Sequence, residues 1–114
     1  MVLIHMKKID VTGLGTFIKS NTVAVVECRT DWCKGCGTLE VIMDDIEKKM
    51  DNNGVSFGIL DITEKREIIN KYHISSVPTL LLFKNGEYEN SLVGSRNRET
   101  ILDSIYLLME RTEI

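Results

Sequence analysis

Proline occurs once in these 114 residues, at Pro78, and cysteine three times, at Cys28, Cys33 and Cys36. No run of basic residues is longer than two, and no apolar run approaches the length that crosses a bilayer. Each scarcity excludes something. Three cysteines, an odd number, do not make a disulfide framework, and a chain of this length can bury a core without covalent staples. A net charge of −3 without a basic run argues against nucleic acid as the main partner. The apolar Met1-Val2-Leu3-Ile4 is too short for a signal peptide or a membrane span. The expectation is a cytoplasmic protein of one domain, residues 1–114, with residues 1–5 as a loose extension ahead of Met6. In a reducing compartment a Cys-x-x-Cys is more often catalytic or metal-binding than structural. The chain shows no internal repeat and no low-complexity segment. Its 43% apolar and 27% charged residues are ordinary for a globular protein.

What is present centres on Asp31-Trp32-Cys33-Lys34-Gly35-Cys36-Gly37. Ahead of it, Thr22 to Cys28 is short, β-branched and apolar enough for a buried strand. Behind it, Leu39, Ile42, Met43, Ile46 and Met50 recur at the steps of one helix face. The cysteine pair therefore falls where a strand gives way to a helix. The unpaired N–H groups and partial positive charge of a helix N-terminus favour a thiolate over a thiol. Two cysteines at this spacing on a first helical turn can also close a small disulfide ring. The pattern points to a dithiol redox site.

In chain order, Leu3 to Ile9 suits an edge strand, and Thr12 is expected to cap a short helix carrying Leu14, Phe17 and Ile18. The helix after the cysteines should run to about Met50, where Asp51-Asn52-Asn53-Gly54 stops it. Val55 to Ile62 follows as a strand, and Thr63 is expected to cap a helix over residues 64–72. Thr79 to Lys84 reads as a strand buried on both faces. Asn85-Gly86 signals a hairpin, with Glu87 to Val93 returning antiparallel. Asn97 should cap a last helix buried through Ile101, Leu102, Ile105, Leu108 and Met109. The order β-α-β-α-β-α-β-β-α implies an α/β protein, a mixed sheet covered by helices on both faces.

Over nearly its whole length the chain resembles the thioredoxin family. The resemblance rests on Trp32-Cys33-x-x-Cys36 opening a helix, Val77-Pro78-Thr79 before a strand, Lys84-Asn85-Gly86 in a hairpin and Gly94 after the last strand. It implies a thioredoxin fold of five strands and four helices, and exchange of protein disulfides through a redox-active Cys33–Cys36 disulfide with no other cofactor. It also implies Cys33 as attacking thiol, Cys36 as resolving thiol and a cis Val77-Pro78 peptide. Partners would be disulfide-containing clients and a thioredoxin reductase or equivalent donor, the protein itself a monomer. Departures from the family pattern are Lys34-Gly35 between the cysteines where Gly-Pro is usual, Val41 in place of a helix proline, and Arg29 in place of a tryptophan. Glu27 stands in place of a buried aspartate, and the lysine that often accompanies that aspartate is missing, the region being Phe57-Gly58.

Lowering a thiol pKa from about 8.5 to about 7 raises its thiolate by roughly tenfold at neutral pH, but the weaker base is a weaker nucleophile. The net gain is a few-fold, so a groove that aligns the client must supply much of the rate. Candidates for that groove are Trp32, Lys34, Gly35, Val77, Pro78 and Gly94. Lys34 also places a cation beside Cys33, where it would stabilise the thiolate and make the couple more oxidising. Glu27 shares a strand face with Val23 and Val25. Burial should raise its pKa, and the family analogy makes it the acceptor of the Cys36 proton. Cys28-x4-Cys33-x2-Cys36 lacks a fourth cysteine for a cluster, and neither His5 nor His73 has zinc spacing, so no metal is expected and Cys28 reads as a small buried hydrophobe. Two alternatives to a disulfide reductase stay open: a binding module without turnover, and a more oxidising, isomerase-like protein.

Overall fold

The computed structural model describes residues 6–50 and 53–110. The elements are β1 (Lys7–Ile9), α1 (Val11–Lys19), β2 (Val23–Arg29), α2 (Cys36–Lys49), β3 (Val55–Asp61), α3 (Arg66–Lys71), β4 (Thr79–Lys84), β5 (Glu87–Val93) and α4 (Arg98–Glu110), the order expected from the sequence. The five strands form one sheet in the order β1-β3-β2-β4-β5. β1, β3 and β2 run parallel, whereas β4 is antiparallel to β2 and β5 antiparallel to β4. The β1-α1-β2 and β2-α2-β3 units give the parallel half, but α3 returns the chain in the opposite sense, so β4 is antiparallel to β2 although a helix precedes it, and the hairpin then adds β5 antiparallel to β4. The first residues of the expected Leu3–Ile9 strand, the loose extension over residues 1–5, and Asp51-Asn52 of the helix stop lie outside the described residues.

Alternation along β2 sends successive side chains to two separate cores. Val23 and Val25 pack with Leu39, Met43 and Ile46 of α2, Phe57 and Leu80 of neighbouring strands, and Ile101 and Ile105 of α4. Ala24, Val26 and Cys28 face the other way, toward Leu14, Phe17 and Ile18 of α1 and Ile68 of α3. The sheet is thus dry on both faces, which is why β2 and β4 read as continuous apolar runs.

Both residues of the Asn85-Gly86 turn have positive φ, 51° and 83°, as the two-residue hairpin signal requires. The Asn97 side chain accepts from the Thr100 N–H at 2.9 Å, which bears out that cap. Two other caps differ from expectation. Asp10, not Thr12, caps α1, its Oδ1 accepting from the Gly13 N–H at 2.7 Å; an aspartate at that place competes well because its charge also meets the helix dipole. Thr63 does not cap α3. Its N–H donates to Asp61 Oδ1 at 2.8 Å, Glu64 turns to φ 59°, and the helix begins only at Arg66.

Lys84, at the end of β4, is buried, and its Nζ donates to the carbonyls of Leu108 at 2.7 Å and Met109 at 3.3 Å. The last turn of α4 has no basic residue of its own. Lys84 therefore supplies the cation that the helix C-terminus favours, and hydrogen bonds from a charged donor contribute about 1.5–3 kcal/mol.

Candidate active site

β2 carries the chain to the rim of the sheet, where the Cys33 N–H donates to the Thr30 carbonyl at 3.2 Å and turns it into α2. Cys33 lies in this turn, half-buried, while Cys36 is the first residue of α2 and has no exposed surface. The pair straddles the helix start rather than sharing its first turn, because Gly35 takes the N-cap place. Cys33 and Cys36 are joined in a disulfide with Cα atoms 5.6 Å apart. One half of the disulfide is partly exposed and the other is buried.

Around them, Val77-Pro78 is a cis peptide. A side chain at Gly35 would collide with the Ser95 hydroxyl and come within 3.5 Å of the Pro78 ring, so the turn, the head of β4 and the segment after β5 meet here. Gly94 has φ 80°, and its N–H donates to the Pro78 carbonyl at 2.8 Å; a Cβ on it would meet nothing within 4 Å. Lys34 is exposed and Val77 half-buried at the same rim. Trp32 is 69% exposed and belongs to the surface. Ser95 went unnoticed in the sequence, where a serine after a glycine carries no signal.

Beneath Cys36 lies Glu27, fully buried on the face it shares with Val23 and Val25, as alternation implies. The register sets Ile59 of β3 and Leu80 of β4 on either side of it. The β3 position across from Glu27 is therefore Ile59, not Phe57 or Gly58, and it is apolar. Neither oxygen of the Glu27 carboxyl has a hydrogen-bond partner at ordinary distance. Burial first, and the nearby Glu40 carboxylate second, push its pKa up to about 9; Arg29 pulls weakly the other way.

Glu40, one helical turn after Cys36, is also buried and forms an ion pair with Arg29. Glu27, Cys36 and Glu40 bring one oxygen, one sulfur and one oxygen within 4.8 Å of one another. In the oxidised state this trio gives a cation no free set of donors, because the sulfur is bonded to Cys33 and Arg29 neutralises Glu40. Sequence reading missed Glu40, although its four-residue spacing from Cys36 puts it on the same helix face. Cys28 is buried in the opposite core, so it cannot join Cys33 and Cys36. Burial, then Glu27, push its pKa up to about 12, which leaves an inert thiol.

A disulfide at a strand-to-helix turn, one sulfur reachable and the other over a buried carboxyl, defines a dithiol–disulfide oxidoreductase. The thioredoxin family model matches residues 5–106. Among curated proteins, thioredoxin from Rickettsia bellii is 34% identical over 88 residues, 77% of this chain and 83% of that protein. The M-type chloroplast thioredoxin of Spinacia oleracea is 31% identical over 77% of this chain and 48% of that protein. Among solved structures, a variant thioredoxin from Halobacterium salinarum superposes with a TM-score of 0.79 at 23% identity, covering 99% of this chain and all of that one. Mitochondrial thioredoxin 3 from Saccharomyces cerevisiae gives 0.77 at 22% identity, covering 89% and 93%. The chain belongs to the thioredoxin family. It is a protein-disulfide reductase that works through its own redox-active disulfide rather than an external cofactor.

Proposed function

We propose that the active site is Cys33-Lys34-Gly35-Cys36, with Cys33 as nucleophile and Cys36 as resolving thiol. The observation that carries this reading is the difference in exposure across one disulfide, half-buried Cys33 against fully buried Cys36. After reduction, the Cys33 thiolate attacks a client disulfide: a Cys33–client bond forms, the client S–S bond breaks, and the departing client thiolate takes a proton from solvent. Cys36 then attacks the Cys33 sulfur, closing Cys33–Cys36 and releasing the second client thiolate. Two electrons pass from the dithiol to the client, and a reductase-type donor restores the pair.

Trp32, Lys34, Gly35, Val77, Pro78 and Gly94 form the client groove in this reading. Gly94 supports it, since the space above its Cα admits an incoming backbone. Glu27 is the carboxyl by which the Cys36 proton leaves, through one bridging water, as general acid–base catalysis permits. The protein acts as a monomeric cytoplasmic carrier in electron transport and redox homeostasis, residues 1–114 making one domain and neither nucleic acid nor membrane being a partner. Sparse cysteine use supports that compartment, and no helix among the described residues is long and apolar enough to cross a membrane.

Insulin reduction driven by dithiothreitol tests the reading. Wild type should precipitate insulin chains well ahead of the uncatalysed reaction, whereas Cys33→Ser should match the blank. Equal rates for the two proteins would instead favour the binding module. Lys34 has its own test in equilibration with glutathione. Removing a cation beside the Cys33 thiolate destabilises the reduced form, so Lys34→Ala should become more reducing, its equilibrium constant shifting by about two- to fivefold. An unchanged constant removes Lys34 from the account.

A further inference from the structure

Glu27 presents a problem of proton inventory. It is fully buried, has no hydrogen-bond partner, and is flanked on both neighbouring strands by apolar side chains. Such a carboxyl holds its own proton at neutral pH and cannot accept a second one. Yet it is the group beneath Cys36. Glu40 is placed to resolve this: its carboxyl lies in the same cluster, within 4.8 Å of both Glu27 and Cys36, and is ion-paired with Arg29.

We propose that Glu40 is the proton sink of the resolving step, so that Glu27 and Glu40 share one proton and act on Cys36 as a unit. This rests on the dithiol reading above. In the reduced protein the pair carries one proton and one negative charge. As Cys36 prepares to attack, its thiol proton passes to Glu27, and the proton already on Glu27 passes to Glu40. The pair is then neutral and Cys36 is a thiolate. The new Cys33–Cys36 bond forms, the Cys33–client bond breaks, and the expelled client thiolate is protonated as the carboxyl pair returns its extra proton through solvent. No electron is left over, and no co-reactant is needed.

The surroundings fit. On β2 the charged groups facing this space are Glu27 and Arg29, with Asp61 of β3 level with Arg29 in the register. α2 adds Cys36 and Glu40, and Asp44 one turn on has Lys48 at 3.0 Å. β3 and β4 offer Ile59 and Leu80 beside Glu27, and α4 offers Ile101 and Ile105 to the same core. Arg29 therefore pairs with Glu40 and not with Glu27. Burial is the largest influence on Glu27, ahead of Glu40.

The test is stopped-flow reaction of the reduced protein with dithiobis(nitrobenzoate), in which Cys33 releases one coloured thiolate and Cys36 the next. Glu40→Gln should leave the first phase unchanged and slow the second by about tenfold near neutral pH, with the rate returning toward wild type as pH rises toward about 9. Glu40→Asp, which restores a carboxylate, should recover most of the rate. Glu27→Gln should slow the same phase, and the double variant should be no slower than the slower single one, as groups acting together behave. If Glu40→Gln does not fold, Arg29→Gln is read in its place and should show the same alkaline displacement. A second phase within about twofold of wild type across this range for Glu40→Gln overturns the proposal. If Glu27→Gln is still slow in that case, Glu27 acts alone and the dithiol mechanism stands. If neither is slow, the role given to Glu27 falls as well.

Discussion

In a Cys36→Ser variant, clients should accumulate on Cys33 as covalent mixed disulfides, and turnover should fall by at least about 100-fold. The reason is geometric. Half-buried Cys33 can still reach a client disulfide, but release depends on a thiol fixed against it inside the same ring. Intramolecular attack in such a fixed geometry has an effective concentration that external thiols at millimolar levels do not match. Reaction of the reduced variant with dithiobis(nitrobenzoate) should release one equivalent of thiolate in place of two, because Cys28 is buried and held protonated. Non-reducing electrophoresis of the variant with a disulfide client should show a band that dithiothreitol removes. Near-normal turnover, or trapping on Cys36 in a Cys33→Ser variant, would reverse the assignment of the two sulfurs.

The second large effect concerns stability. Glu27 is raised from about 4.5 to about 9, so the folded protein holds this proton more tightly than the unfolded chain. Its favourable contribution is complete below about pH 4.5 and is lost progressively as pH rises toward about 9. At 1.36 kcal/mol per pH unit, keeping this group protonated near pH 7 costs about 3 kcal/mol relative to the unfolded chain. Glu27→Gln keeps the shape without the titration. In guanidinium unfolding of the oxidised protein it should gain about 2–3 kcal/mol over wild type near pH 7, with little difference near pH 4. Parallel pH–stability curves for the two proteins would mean that Glu27 is already ionised when folded. A buried acid that weakens the fold near neutral pH, close to a redox-active cysteine, is what a site tuned for proton transfer contains.

The order of elements, the two faces of the sheet and the position of the cysteines were all legible from the chain. Apolar period, β-branched content and stop signals separated strands from helices, and the Asn85-Gly86 turn set β5 antiparallel to β4. Alternation placed Glu27 on the inner face of β2 correctly. The cap at Asp10 was not legible, because two neighbouring polar residues, Asp10 and Thr12, offer competing hydrogen bonds and only the packed helix chooses between them. At Thr63 the N–H bonds back to Asp61 and Glu64 takes a positive φ, so α3 starts at Arg66 without a side-chain cap.

What the chain could not disclose is which residues from different elements come to share one space. A helix period states that Cys36 and Glu40 share a face, but the rotation of α2 over β2 decides that Glu40 meets Glu27 and Arg29 there. In the same way Lys84 finds the end of α4 across 24 residues of sequence, and Ser95 closes over Gly35. Local pattern fixes direction along one element, since it follows from the backbone repeat. Contact between elements is settled by packing, where volume, burial and charge must be satisfied together, and the cluster of Glu27, Cys36 and Glu40 arises at that level.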